Sequence, residues 1–354
     1  MIQGAQTVSR RYELVKKYVR GQIAAGKYPD GRIESEGKLV EVLGVSRSTV
    51  REGLSELEYE GVIDIVHGKG TFVCTAQTRI KTVSYVFSRV ESESYDNPYY
   101  GGVFAGVEEE AKRIGAAIEY RSYGRKELLA GAADSHRFEN PTVLVSYFPR
   151  AVIERAIASG VPFAAVDNLH EGLSFPTVVS EGVAAAYEAV SHLISLGHRK
   201  IAHVTGNMME YSGKERLLGY KKALAAAGIA IDAALIIEGD FTWDAGYRAG
   251  EELAARKSEF TAAYFAGDTM AIAAMQYLMK QGVRVPEDVS IVGTDDIPAA
   301  SQPMYSLTTM RLDTCAMGRS AMSLLADQCA GKREAPVMRV PRSLIVRSSA
   351  MSIG

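Results

Sequence analysis

Short apolar runs that alternate with amphipathic segments constrain this chain more than any other feature. The runs fall at 83–87, 117–120, 143–145, 163–166, 201–204, 235–237, 262–265 and 289–292. Between them helical spacing recurs at 102–114, 150–158, 183–196, 215–227, 243–255 and 270–281. Short continuous apolar strands separated by helices predict parallel α/β sheets with right-handed crossovers. One doubly wound sheet and two separate lobes satisfy the pattern equally.

The residues before this region follow a different plan. Residues 39–54 read LVEVLGVSRSTVREGL. Leu39, Val42 and Leu43 recur at helical spacing and stop at Gly44; Ser46 can cap a new helix, on which Val50 and Leu54 share one face. The first turn of that second helix carries Ser46, Arg47, Ser48, Thr49 and Arg51. Small hydroxyls and arginines on an exposed turn suit phosphates and base edges. The plain alternative is a helical hairpin with a solvated polar face. Upstream, Tyr12, Val15, Val19 and Ile23 mark an amphipathic helix over 8–26, followed by a Pro29-Asp30-Gly31 turn and a capping Ser35. Downstream, VIDIVHGKGTFV reads as a β-hairpin with His67, Gly68 and Lys69 at its tip. Gly68 and Gly70 let backbone approach a phosphate, and Lys69 supplies charge. Three helices and a basic-tipped hairpin predict a winged helix-turn-helix.

Composition sharpens this reading. The net charge is -2, and residues 1–76 hold 11 Lys/Arg against 10 Asp/Glu, so a DNA reader here must place its charge locally. The N-terminus lacks the apolar core of a signal peptide, and no long apolar run predicts a membrane span. Cys74, Cys315 and Cys329 are too widely separated for a zinc site or a disulfide framework, and read as packing residues in a reducing compartment. A cytoplasmic protein without metal or cofactor is expected. Catalysis is not expected, because the chain has no Gly-x-Ser-x-Gly elbow, no His-Glu-x-x-His helix and no phosphate loop.

Residues 10–75 resemble the DNA-binding domain of the GntR family. The matching positions include Arg32-Ile33, Ser35-Glu36, Leu43-Gly44-Val45-Ser46-Arg47, Thr49-Val50-Arg51, Glu60-Gly61 and Gly68-Lys69-Gly70-Thr71-Phe72-Val73. The resemblance implies DNA contacts from Ser46, Arg47, Ser48, Thr49 and Arg51, with His67 and Gly68 from the wing, beside the Lys69 that the residues themselves suggest. One position departs: the family usually has Arg after Ser-Glu, where this chain has Gly37, followed by Lys38.

The remainder resembles the effector domain of LacI/GalR-type repressors, through SHLISLGHRKIAHVTG, ERLLGYKKALAAAGI, GDFTWDAGYRAGEEL, the stretch ending VPEDVSIVGTDDIPAAS, and SLTTMRLDTCAMGRSAMSLL. That resemblance implies a multi-domain chain. An N-terminal winged helix-turn-helix (1–75) and a linker (76–81) lead into a two-lobed α/β periplasmic-binding-protein-like effector domain (82–354). Lobe 1 is expected at about 82–180 plus 311–338, and lobe 2 at about 181–310 plus 339–349. The arrangement resembles that of arabinose repressors.

In open α/β folds a ligand lies beyond the carboxyl ends of the strands. There the sequence puts Tyr99 and Tyr100, the Asp167-Asn168 pair, Asp268 and Asp295. Arg216 opens a helix, and Phe241 and Trp243 follow Glu-Gly-Asp. Planar polar groups for hydroxyls and aromatic faces for a ring are what a sugar site needs. The resemblance adds that Tyr99, Tyr100, Asp167, Arg216, Phe241 and Asp295 match effector contacts, with Arg216 and Asp295 as a polar pair. Gly267 and Thr294 depart from the relatives, which often have Asn and an aromatic residue there. The expected function is a homodimeric, sequence-specific repressor of carbohydrate-utilisation genes, switched on its operator by a sugar-like ligand. The competing reading makes the second part a constitutive dimerisation module or the receptor of a non-sugar effector.

Overall fold

The computed structural model describes residues 11–29, 31–60, 62–66, 70–73, 80–89, 98–124, 127–128, 131 and 137–353. They form two compact units, Met1–Ile80 and Lys81–Gly354.

The first unit holds α1 (Arg11–Ala24), α2 (Glu36–Leu43), α3 (Arg47–Tyr59) and an antiparallel hairpin of β1 (Ile63–Val66) and β2 (Gly70–Val73). The local signals are those of the sequence. Ser35 accepts a hydrogen bond from Lys38 N, Gly44 ends α2 in the left-handed region, and Ser46 caps α3 by accepting from Thr49 N. Val15, Val19, Leu39, Val50, Leu54, Leu57 and Ile63 close one apolar core.

The second unit opens with β3 (Thr82–Arg89), α4 (Pro98–Ile114), β4 (Ala117–Gly124), β5 (Thr142–Val145), α5 (Arg150–Ser159), β6 (Phe163–Val166) and β7 (Thr177–Ser180). It continues with α6 (Gly182–Ser195), β8 (Ile201–Val204), α7 (Tyr211–Ala226), β9 (Ile236–Ile237), α8 (Trp243–Ala255), β10 (Ala262–Phe265), α9 (Asp268–Lys280) and β11 (Ser290–Val292). It closes with β12 (Thr309–Leu312), α10 (Thr314–Cys329), β13 (Val337–Val340) and β14 (Arg342–Ile345).

Two parallel sheets result, ordered β13-β7-β6-β5-β3-β4 and β11-β10-β8-β9, with β12 and β14 paired antiparallel beside them. The two-lobe solution is therefore the one adopted. In lobe 2 successive strand residues feed opposite cores: Ala263 and Phe265 face one cluster, Ala262 and Tyr264 the other. Both faces are covered, which is why these strands read as unbroken apolar runs. His203 is wholly buried between the rings of Tyr220 and Tyr264, at 4.9 and 5.0 Å. Burial pushes its pKa down to about 4, so it packs as a neutral ring.

The chain passes between lobes three times, after β7, after β12 and after β13. The last two passages lie about two residues beyond the expected ones. Arg311 and Leu312, expected in lobe 1, pair with Ser343 and Arg342 in the β12–β14 ribbon. Arg339 and Val340, expected in lobe 2, pair with Val179 and Ser180 in the lobe 1 sheet. Pairing of four-residue strands sets these boundaries, and no apolar pattern announced it.

Lobe 1 is held from its far end by α10, which packs on α4 and under β5, β6 and β7. The α4–α10 approach needs a residue without a side chain: a Cβ on Gly106 would stand 2.0 Å from Cys315 O. Gly106→Ala is expected to destabilise the second unit by about 1–3 kcal/mol, read as a lower thermal midpoint. Gly101→Ala, on the same helix with nothing within 4 Å of its new methyl, should leave the midpoint unchanged or slightly raised. Equal midpoints for the two variants would refute the close-packing account.

Candidate functional site

In the first unit the exposed turn of α3 presents its arginines as a pair. Arg51 Nε lies 2.9 Å and Arg47 Nε 3.7 Å from Glu36 Oε2, with both arginine side chains well exposed. The hydroxyls divide. Ser48 is exposed, whereas Thr49 is buried, its Oγ1 2.8 Å from Ser46 Oγ, so Thr49 serves the cap and does not face outward as expected. Lys38 pairs with Glu41 at 2.9 Å. His67, Gly68 and Lys69 lie outside the described residues.

In the second unit the carboxyl ends of the strands from both lobes border one cavity that opens to solvent. From lobe 1, the first turn of α4 brings Tyr99 and Tyr100, whose rings meet edge to face at 4.9 Å, and Asp167 follows β6. Tyr99 Oη donates to Asp167 Oδ2 at 2.7 Å. Burial raises the Asp167 pKa, against the hydrogen bond from Tyr99.

From lobe 2, Arg216 extends from α7, Phe241 follows β9, and Asp295 follows β11. Arg216 Nη2 lies 3.3 Å from Asp295 Oδ1, and Arg216 Nη1 donates to Ala266 O. The guanidinium carbon stands 5.3 Å from the centroid of the Phe241 ring. Burial works most strongly against the Arg216 charge, but Asp295, Tyr264, Tyr99 and Asp167 together outweigh it and raise its pKa further. Behind Asp295, Arg342 is fully buried, 3.0 Å from the same Oδ1 and 3.3 Å from Ser180 Oγ.

Backbone strain gathers around this cavity. Ser146, Asp167, Phe241, Asp295 and Asp296 all have positive φ, from 54° at Asp167 to 124° at Asp295. For a side chain as large as Phe241 that conformation costs on the order of 1–3 kcal/mol and persists only where the surroundings enforce it. Here Gly206 receives the Phe241 ring: a Cβ on Gly206 would stand 2.0 Å from Phe241 Cζ.

Six residues expected from the sequence, Tyr99, Tyr100, Asp167, Arg216, Phe241 and Asp295, thus border one space. Three others do not. Asn168 is buried beneath it, donating to Ser146 O at 3.1 Å and accepting from Thr177 Oγ1 at its carbonyl. Trp243 is the first residue of α8 and lies 41% exposed. Asp268 is fully buried, accepting from Thr309 Oγ1 at 2.6 Å and from Ile297 N at 3.1 Å. Of the two departures, Gly267 borders the cavity. Thr294 is buried beside Phe265 O and Tyr264 Oη and does not. Sequence reasoning missed Glu210, Ser212, Thr269 and Ile297, which complete the lining. Glu210 precedes α7, where an acid reads as a helix-dipole residue; yet its side chain makes no cap.

Among the described residues no cluster of His, Cys, Asp and Glu could hold a metal, and no helix is long and apolar enough to cross a membrane. Cys74 lies outside the described residues. Cys315 is part-buried on α10 beside Arg319.

Two families match separate parts of the chain: bacterial regulatory proteins of the gntR family over residues 11–73, and the periplasmic binding protein-like domain over residues 190–350. The HTH-type transcriptional regulator CelR of Thermobifida fusca is 30% identical over 324 residues, covering 87% of this chain and 91% of that protein. The HTH-type transcriptional repressor CytR of Escherichia coli is 34% identical over 193 residues, 54% of this chain and 57% of CytR. Among solved structures, a CelR–cellobiose complex superposes with a TM-score of 0.68 at 29% identity, covering 86% of this chain and 91% of that one.

The buried Asp268 carboxyl yields a pH prediction. Burial, then the like charge of Asp295, raise its pKa to about 7, so the unfolded chain gives up this proton at lower pH than the folded one. Its contribution is therefore most favourable at low pH and is lost as pH rises from about 4 to about 7. Asp268→Asn, which imitates the protonated group, should flatten the stability profile over that window in urea titrations. An unaltered slope would refute the assignment.

Proposed function

Since the chain belongs to the HTH-type transcriptional regulators that carry a periplasmic binding protein-like domain, we propose that it represses carbohydrate-utilisation genes from an operator whose occupancy a sugar-like molecule switches. The chain is a ligand-responsive, DNA-binding transcription regulator; the sugar class, the sign of control and the homodimer are the proposed part. The observation that carries the sugar class is the cavity, where aromatic rings face carboxylates and a guanidinium across the two lobes. Carboxylates accept from hydroxyls in fixed directions, and an aromatic face covers the apolar side of a sugar ring. The CelR structure with cellobiose supports the same class.

The proposed mechanism is a population shift. A homodimer presents two winged helices to the half-sites of a near-palindromic operator, through Ser46, Arg47, Ser48, Arg51 and the wing. A ligand that contacts Tyr99, Tyr100 and Asp167 on lobe 1 and Arg216, Phe241 and Asp295 on lobe 2 favours the state in which both sets are engaged. A coupling free energy of about 1–3 kcal/mol changes operator affinity roughly 5- to 150-fold.

A thermal-shift screen against pentoses, hexoses and disaccharides identifies the ligand: at about 100 times its dissociation constant it adds about 2.7 kcal/mol of stability. Arg51→Ala should weaken operator binding about tenfold or more and leave the thermal shift intact. Arg216→Ala should abolish the shift and the ligand response while operator binding persists. Loss of both properties in either variant would refute the division of labour.

A further inference from the structure

The charges around the cavity carry a narrower statement, which rests on the proposed reading of the cavity as the effector site. We infer that the effector bears no anionic group: the site selects an uncharged or amine-bearing polyhydroxylated molecule and excludes the phosphate and carboxylate derivatives of the same molecule.

Three carboxylates line the space, Asp167 from lobe 1 and Glu210 and Asp295 from lobe 2. Among the described lining residues the opposing cation is Arg216; both its terminal nitrogens and its π face are engaged, and its Nε, which has no partner, is buried away from solvent. One nitrogen faces Asp295, another donates to Ala266 O, and the π face lies over Phe241. Arg342 stands behind Asp295 and spends its charge there and on Ser180. An incoming phosphate would therefore meet Asp167 and Glu210 without a cation to receive it. The electropositive start of α7 would by itself attract an anion. Glu210, the residue that opens α7, is only 7% exposed and supplies that negative charge from the protein itself.

Hydrogen-bond chemistry leads to the same class. An ionised carboxylate accepts and cannot donate, and so do the oxygens of a phosphate dianion. The Tyr99 hydroxyl already gives its hydrogen to Asp167. Hydroxyls and ammonium groups of a ligand can donate to the carboxylates of both lobes, which anionic oxygens cannot do. Its ring also has a place. Gly267 is in extended backbone, and a Cβ there would meet Phe241 Cδ1 at 3.5 Å and Asp295 Oδ2 at 3.6 Å, both ordinary contacts. Neither conformation nor packing demands a glycine. What its absent side chain leaves is room along the Phe241 face, next to a carboxylate oxygen.

The test is calorimetric titration of the intact chain with matched sets: glucose, glucosamine, glucose 6-phosphate and glucuronate; ribose and ribose 5-phosphate; cellobiose and cellobionate. In every set that binds, the uncharged or amine form should bind at least tenfold more tightly than its anionic counterpart. Glu210→Gln, checked for an unchanged thermal midpoint, should narrow that ratio at least threefold. A phosphate or carboxylate form that binds as tightly as its parent overturns the inference and leaves the ligand-responsive regulator standing. So does a ratio that Glu210→Gln does not change. Silence from all probes, with operator binding unmoved by any of them, overturns the inference and the sugar reading beneath it.

Discussion

One carboxylate shared by two arginines ties the cavity wall of the second unit to the strands where the chain passes between lobes. Asp295 takes Arg216 from α7 and Arg342 from β14, and its backbone N donates to Met310 O on β12. Through Arg342 it also reaches Ser180, at the end of β7. The cavity wall and strands at the chain's passages between lobes thus meet at one acid. The next residue repeats the device in another direction, with Asp296 pairing Arg311 and Arg347 at 2.6 Å each. Two consecutive left-handed residues make this divergence possible, since ordinary strand geometry would not aim adjacent carboxylates at these separate partners. A buried ion pair is weak evidence for stability but strong evidence for a defined arrangement, because removing one partner strands the other charge.

The legible parts of the fold were those with local causes. All eight apolar runs fall on strands; most are covered on both faces and so are apolar along their length, whereas β4, at the sheet edge, is partly exposed. β7, β12, β13 and β14 were not legible. They read TVVS, TMRL, VMRV and RSLI, too short and too mixed to show a period, and they form through pairing partners far away in sequence. These are the strands at the passages, so lobe membership was the least accurate reading. In the candidate site the strand-end rule points to the strand ends that border the cavity but cannot tell which way each side chain points. Asp167 and Asn168 are neighbours, and only the first borders the cavity. Asp268 and Asp295 both end strand motifs, yet Thr309 and Ile297 N draw the first into the interior.

The first unit shows the opposite balance. Its capping serines, its left-handed glycine and its apolar spacing are local signals, and each appears in the structure where the sequence put it. Thr49 is the exception, because a hydroxyl three residues after a capping serine can bond to that serine as readily as to a phosphate. Glu36 gives the arginine pair a partner when no phosphate is present. A nearly neutral unit can therefore carry a locally basic surface whose charge is uncovered only on exchange of one acid for another.

The threading of the chain through its lobes has a consequence for how the protein is made. Lobe 1 begins with β3 and is completed only by α10 and β13, after residues 181–312 have been added. During synthesis its sheet waits with β7 unpaired on one edge and with the surface that α10 will cover still open. Lobe 2 in turn lacks β14 until the chain passes residue 345. Exposed edges and uncovered apolar faces are what chaperones hold and proteases cut. A chain interrupted before β13 therefore has its first unit complete and neither lobe finished.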